Sequence, residues 1–286
     1  MSKGVVLLNK KNALYGVIIL LVLIWLFIFM PTEIFMKPLI TPEAYLTSKP
    51  SIELFNRWII IVPSSSIIVY LLGIQIILMS FIFMKHQQKL WGLSLLFWGI
   101  GTILAGTSYQ TLGFELKCSG QTNCLFTSWF ELAYLFMTAI SISLMAKAFA
   151  ETFTHHKVQK YLVGYGYIAL IIYTIILMLG SAFNNQIMIS YELFTAFFMP
   201  LFLVFFIINM INYKANKNNL DFSFIILWLL FLVINVGYYI YFFLDITTML
   251  YTNTGLWFSA NDVLHVGLMI WFGYFYFKIK KELTKR

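Results

Sequence analysis

A chain of 286 residues that is 61% hydrophobic and 10% charged does not fit a soluble domain, where about 25% of residues are charged. Its net charge of +8 is spread by position along the chain and forms no nucleic-acid motif, so no nucleic-acid partner is expected. The apolar runs are long and continuous, which excludes the alternating strands of an outer-membrane barrel and predicts an all-α polytopic membrane protein.

Eight transmembrane helices are predicted within a single membrane domain, residues 1–286. The first, 13–30, follows lysines and resembles a signal peptide in length. The stretch after it, FIFMPTEIFMKP, offers no small-x-small cleavage site, so an uncleaved anchor helix is expected. The loop 31–60 mixes prolines with Glu33, Glu43 and Glu53 and is expected to carry a short interfacial helix or to cap the bundle. The remaining spans, 61–84, 90–113, 128–150, 161–180, 188–212, 222–243 and 258–278, form a seven-helix core over 61–278. A basic tail follows at 279–286.

Of the 19 basic residues, only Lys37, Lys49, Arg57 and Lys117 fall outside the segments that an inside amino terminus assigns to the cytoplasm. The positive-inside rule therefore places both termini in the cytoplasm, as expected in a bacterial inner (plasma) membrane. Cys118 and Cys124 lie in the third-to-fourth loop on the outer side. An oxidising compartment would join them in a disulfide, the alternative being two free thiols. Trp58, Trp129 and Trp257 near outer boundaries, and Trp91 and Tyr213 near inner ones, read as interface anchors. Gly101 and Ala105 have the small-xxx-small spacing of close helix packing.

Chemistry is expected at the outer ends of three spans. Asp262 and His265 stand one turn apart in the last, and ionisable groups within hydrocarbon are seldom placed without a partner or a task. At 1.5 Å per residue they lie about 6 and 10 Å below the start of that span, with Ser108 about 8 Å and Glu131 about 5 Å deep in theirs. Asn261, Asp262, His265 and Phe272 share one strip, expected to face the bundle interior. Ser108 and Gln110 differ by about 200° in phase and cannot both point squarely into one site. Each group also has a structural alternative: a bond to the preceding turn for Ser108, an interhelical bond for Gln110, an acid at a helix start for Glu131 and Asp262. His86, His155 and His156 belong to the inner surface, which argues against a bis-histidine haem site.

The patches GTSYQTLGFE (106–115), SWFEL (128–132) and SANDVLH (259–265) resemble those of the seven-helix membrane hydrolase superfamily of alkaline ceramidases and adiponectin-receptor-like (CREST-like) proteins. In that group a Ser and a His end the second core helix, an Asp opens the third and a His-x-x-x-His pair opens the seventh; three histidines hold zinc. Here Gln110 or Thr111 stands near the second-helix histidine, Glu131 replaces the Asp, and Asn261 replaces the first of the last pair, so only His265 is kept by position.

Three functions follow. The first is an intramembrane hydrolase acting on a lipid amide or ester from the outer leaflet. His265 and Asp262 would activate water, Glu131 would be a second ligand or base, and Ser108 or Gln110 would stabilise the oxyanion. A divalent metal such as zinc on His265, Asp262 and Glu131 is the cofactor this version invites. The second is a non-catalytic receptor, sensor or lipid-binding module whose polar layer takes a lipid or small lipid-like ligand. The third is a small-solute or proton transporter, for which Gln75, Glu192, Asn209, Asn212 and Asn235 are scattered polar candidates.

Overall fold

The computed structural model describes residues 10–55, 58–153 and 156–283; expectations resting on Lys3, Arg57, His155, Lys285 and Arg286 lie outside them. The chain is an all-α membrane protein. Helix α1 (Lys10–Ile28) is followed by a short α2 (Pro42–Thr47), a hairpin of β1 (Ser51–Leu54) and β2 (Trp58–Ile61), and then α3 (Pro63–Lys85). Helix α4 (Lys89–Gly106) runs into a π-helical turn, Thr107–Thr111, before the short α5 (Gly113–Lys117). The long helices α6 (Trp129–Phe153), α7 (His156–Ala182), α8 (Tyr191–Asn216) and α9 (Asn219–Phe243) come next. A short α10 (Ile246–Thr254) leads to α11 (Ala260–Tyr274), which passes through a second π-helical turn, Phe275–Ile279, into α12 (Lys280–Leu283).

Among the described residues, six helices are long and apolar enough to cross a membrane: Pro63–Lys85, Lys89–Thr111, Trp129–Phe153, Lys157–Ala182, Tyr191–Asn216 and Asn219–Phe243. The two other predicted spans are interrupted or short. The apolar part of α1 is Ala13–Ile28, and α11 has 15 residues before its π-helical turn. With its π-helical turn and α12 the last helix runs on without a break to Leu283, about 36 Å at 1.5 Å per residue, which is enough for the ~30 Å hydrocarbon core.

Helix ends follow local chemistry. Pro63, with no N–H to leave unpaired, opens α3. Ser190 caps α8 by accepting from the Leu193 N–H (3.2 Å), and Asn218 caps α9 by accepting from that of Leu220 (2.9 Å).

Helix α6 is the centre of the bundle: 83% of its apolar window is buried, against 28% for α7. It is stapled to α4 by reciprocal bonds, Ser94 Oγ to the Ser141 carbonyl (2.9 Å) and Ser141 Oγ to that of Ser94 (2.7 Å). Gly101 lets α4 lie against α6, since a Cβ there would meet Thr138 Oγ1 at 2.8 Å. Helix α11 sits between α3 and α9. Gln75 donates to the Met269 carbonyl (3.0 Å) and the Trp271 indole to that of Leu227 (2.8 Å). The first helix is not a free anchor. Val22 and Leu26 are buried, Trp25 donates to the Met178 carbonyl of α7 (3.3 Å), and Trp129 of α6 donates to that of Leu23 (3.1 Å).

The loop 31–60 and the 112–128 segment knit together into a cap. Met36 donates to the Cys124 carbonyl (2.9 Å), Cys124 to that of Ile40 (2.8 Å) and Phe126 to that of Ile34 (2.7 Å). Cys118 and Cys124 form a disulfide, and with Tyr45, Ile61 and Val62 they make a small core of their own. Trp91, read as an interface anchor, is instead 2% exposed, with its ring 5.7 Å from Phe224 and 5.4 Å from Phe275.

Candidate functional site

The polar residues singled out in the sequence fall into three separate settings. The first surrounds Glu131, in the opening turn of α6 and 3% exposed. Its Oε1 accepts from Ser108 Oγ (2.8 Å) and from Lys117 Nζ (2.8 Å). Because the single Ser108 hydroxyl proton goes to Glu131, the contact between the Ser108 and Ser128 hydroxyls (2.7 Å) must run with Ser128 as donor. Both side chains of the Lys117–Glu131 ion pair are 4% exposed. Burial alone would lower the pKa of Lys117, but the Glu131 carboxylate beside it outweighs that and raises it above its ordinary 10.5. The Lys117 ammonium also lies 5.1 Å from the centre of the Tyr109 ring.

Two features bring these groups together. The π-helical turn at Thr107–Thr111 changes the phase of the end of α4 and turns Ser108 towards α6. The disulfide at Cys118 ties the residue after Lys117 into the cap. Lys117 was missed by sequence reasoning. Its signal was available: a basic residue on the acidic side of the chain, one position before a cysteine.

The second setting holds Asp262, which is fully buried. Its Oδ2 accepts from the Ser259 N–H (2.6 Å), the Ser259 hydroxyl (2.8 Å) and Ser65 Oγ of α3 (2.7 Å), while its own N–H donates to Ser259 Oγ (3.3 Å). This is a capping box, with Ser65 fastening the start of α11 to α3. The carboxylate folds back over its own N-terminus, and no bond joins it to His265; His265 Nδ1 and Asp262 Oδ1 make no hydrogen bond with any described residue. Asn261 is exposed, contrary to the expected interior strip. An α-helix advances 100° per residue, so burying Asp262 turns its neighbour outward.

The third setting is a cavity of about 130 Å³ in the bundle interior, where His265 is found. Helices α3, α4, α6, α8, α9 and α11 all contribute to its wall. Beside aliphatic and aromatic residues the lining includes Thr102, Thr138, Tyr134, Tyr191 and Asn235. The threonine hydroxyls are turned back on their own helices, Thr102 to the Trp98 carbonyl (3.0 Å) and Thr138 to that of Tyr134 (2.9 Å). Asn235 donates to the Phe231 carbonyl (2.7 Å). Glu131 and Asp262 stand one turn nearer the cap than the lining residues Tyr134 and His265, and neither lines the cavity.

The expected joint site is therefore not assembled. Ser108 and Glu131 meet; Asp262 and His265 share a helix but not a bond. Gln110 is 4% exposed, does not line the cavity, and its Oε1 makes no hydrogen bond within the protein. No group of three or more His, Cys, Asp or Glu able to hold a metal ion occurs among the described residues. Of the proposed metal set His265, Asp262 and Glu131, the Glu131 carboxylate is bonded to Lys117 and Ser108, and that of Asp262 to Ser65 and Ser259.

Of the five scattered polar candidates, Gln75, Asn209, Asn212 and Asn235 hold hydrogen bonds within the bundle and Glu192 is exposed. Asn209 donates to Asp221 Oδ1 (3.0 Å) and accepts from the Trp228 indole (3.0 Å), and Asn212 donates to the Phe153 carbonyl (2.9 Å). No family model, curated protein or solved structure matches the chain.

Proposed function

We propose that this protein is a non-catalytic ligand-binding or sensor module of the membrane, with the cavity around His265 as its binding site. The observation that carries this reading is the isolation of the imidazole. It lines an interior cavity walled mainly by apolar and aromatic side chains, and no carboxylate is bonded to it. Sites of that composition, with a few polar groups fixing orientation, suit small ligands. A volume near 130 Å³ matches a six-membered ring or a short branched group, by comparison with an engineered ~150 Å³ cavity that takes benzene. His265 supplies one directional hydrogen bond. Hydrolysis would need a base, a water and oxyanion donors converging within hydrogen-bond reach, whereas the carboxylates here already have structural partners.

The accompanying topology is eight crossings in a bacterial inner membrane, with both termini cytoplasmic and the cap outside. The bias of lysine towards the opposite end and the disulfide within the cap support it. The amphipathic cap would then shield the cavity from the extracytoplasmic side.

The test uses the full chain in lipid nanodiscs with 4-fluorophenol as probe, followed by fluorine NMR. Saturable binding weakened at least fivefold by His265→Leu is expected, with no turnover of lipid amides or esters. Hydrolysis abolished by His265→Leu would replace this reading with the enzymatic one.

A further inference from the structure

The cavity has a neighbour. A groove of about 370 Å³ runs between α8 and α9, and Met199, Phe202, Phe231 and Asn235 line both it and the cavity. One partition of four side chains thus separates the interior site from the outside of the helix pair. Beyond that partition, Leu203 (65% exposed), Leu229 (44%) and Leu232 (58%) complete the groove. Both helices are long and apolar enough to cross a membrane, so this outer wall faces acyl chains and not water.

We infer that the cavity is filled sideways from the bilayer, between α8 and α9, by an amphipathic molecule whose hydrocarbon chain lies in the groove and whose small polar head hydrogen-bonds His265. This rests on the cavity being the binding site. Three observations carry it further.

Bonded or packed networks stand at both ends of the bundle. At the cap end stand the Ser108–Glu131–Lys117 cluster and the Ser65–Asp262–Ser259 cluster. At the other end Trp91, Phe224 and Phe275 pack together, beside the Asn209–Asp221–Trp228 network. The helical bonding of α8 is also broken at the partition. Pro200 follows Met199 inside α8 and cannot donate to the carbonyl of Ala196, which locally weakens the helix. Finally, Asn235 puts a polar group in the partition itself. Its Nδ2 is committed to the Phe231 carbonyl (2.7 Å), and its Oδ1 remains as an acceptor for a passing head group.

The energetics select the occupant. Lipid tails are as apolar as leucine, so a plain hydrocarbon gains little by leaving the bilayer for the groove. A hydrogen-bonding head that leaves the membrane surface gives up its partners there, and His265 is a group in the cavity that can replace one of them. The ligand class is therefore a long-chain molecule with one compact polar head.

Two fatty alcohols, one bearing a diazirine beside its hydroxyl group and one bearing it midway along the chain, test this in nanodiscs of phosphatidylglycerol and phosphatidylethanolamine, the first reporting on the cavity and the second on the groove. After irradiation, adducts are mapped by mass spectrometry. Adducts on the buried cavity residues Thr138 and Leu268 are expected from the first, together with Leu203 and Leu229 from the second. Met199→Trp, which fills the partition, should lower the interior adducts at least fivefold while leaving those on the exposed Ile168 and Ile171 of α7 unchanged. Wild-type adducts confined to outward-facing residues overturn the proposal, whatever the variant does. So do interior adducts that Met199→Trp leaves intact. If 4-fluorophenol binds in a His265-dependent way while the alcohols stay outside, lateral entry fails and the binding site stands. If neither kind of probe enters, both fail.

Discussion

Replacing Lys117 with methionine keeps the length and bulk of the side chain and removes only its cation. In the intact protein the Lys117 ammonium sits 2.8 Å from Glu131 Oε1, with both side chains 4% exposed. Removing one partner of a buried pair leaves the other charge uncompensated and costs about 3–5 kcal/mol. Ser108 still donates to Glu131 at 2.8 Å, which holds the expected loss nearer the lower figure, about 3 kcal/mol. Replacing both members, Lys117→Met with Glu131→Leu, should return most of that loss, because an apolar pair of similar size is about as stable as a buried ion pair. Unfolding in mixed micelles titrated with dodecyl sulfate would measure all three proteins. The pair also makes the stability of the wild type depend on pH at the basic end. The pKa of Lys117 is raised above 10.5 by Glu131 against the effect of burial; its contribution is therefore complete below pH 10.5 and is lost as pH rises through the folded value. A single variant within about 0.5 kcal/mol of wild type, or a double variant no better than the single one, would refute the reasoning.

Three further outcomes are expected. Asp262→Ala should destabilise by about 1–2 kcal/mol in the same titration through loss of the cap. Asp262→Asn should retain most of the stability, and 4-fluorophenol binding should survive it; loss of binding in the Asn variant would mean that the carboxylate does orient His265. Reduction of the Cys118–Cys124 bond, which closes a loop of sequence separation 6, should lower stability by about 2 kcal/mol, and no change in the reduced protein would show that the cap holds Lys117 without it. Lys49 lies over the Tyr45 ring at 4.4 Å, and burial, aided by the nearby Lys117 charge, lowers its pKa to about 8. At pH 8 it should be acylated by a small amine-reactive reagent at least about tenfold faster than the lysine of an added short model peptide, peptide mapping being the check, because a lysine of ordinary pKa is under about 1% neutral there.

The composition and the long apolar runs were enough to establish a helical membrane protein, because an apolar stretch that long has few other stable fates. The cysteine pairing was legible too, since six positions of separation on one loop bring two thiols within reach. The positions of most spans were clear to within a few residues, marked by caps and loops of ordinary chemistry at Pro63, Ser190 and Asn218. What the sequence left undecided was who faces whom. Glu131 and Asp262 each read equally well as half of a reactive pair or as an acid at a helix start. Only the packed structure supplied Lys117 for the one and Ser65 with Ser259 for the other. The two π-helical turns, the β-hairpin and α10 were likewise invisible, because each is too short to leave a period in the sequence. His265 shows the same division. Its depth could be counted along a helix, but its isolation depended on where six helices put their side chains, and helix phase alone does not fix the neighbours across a bundle.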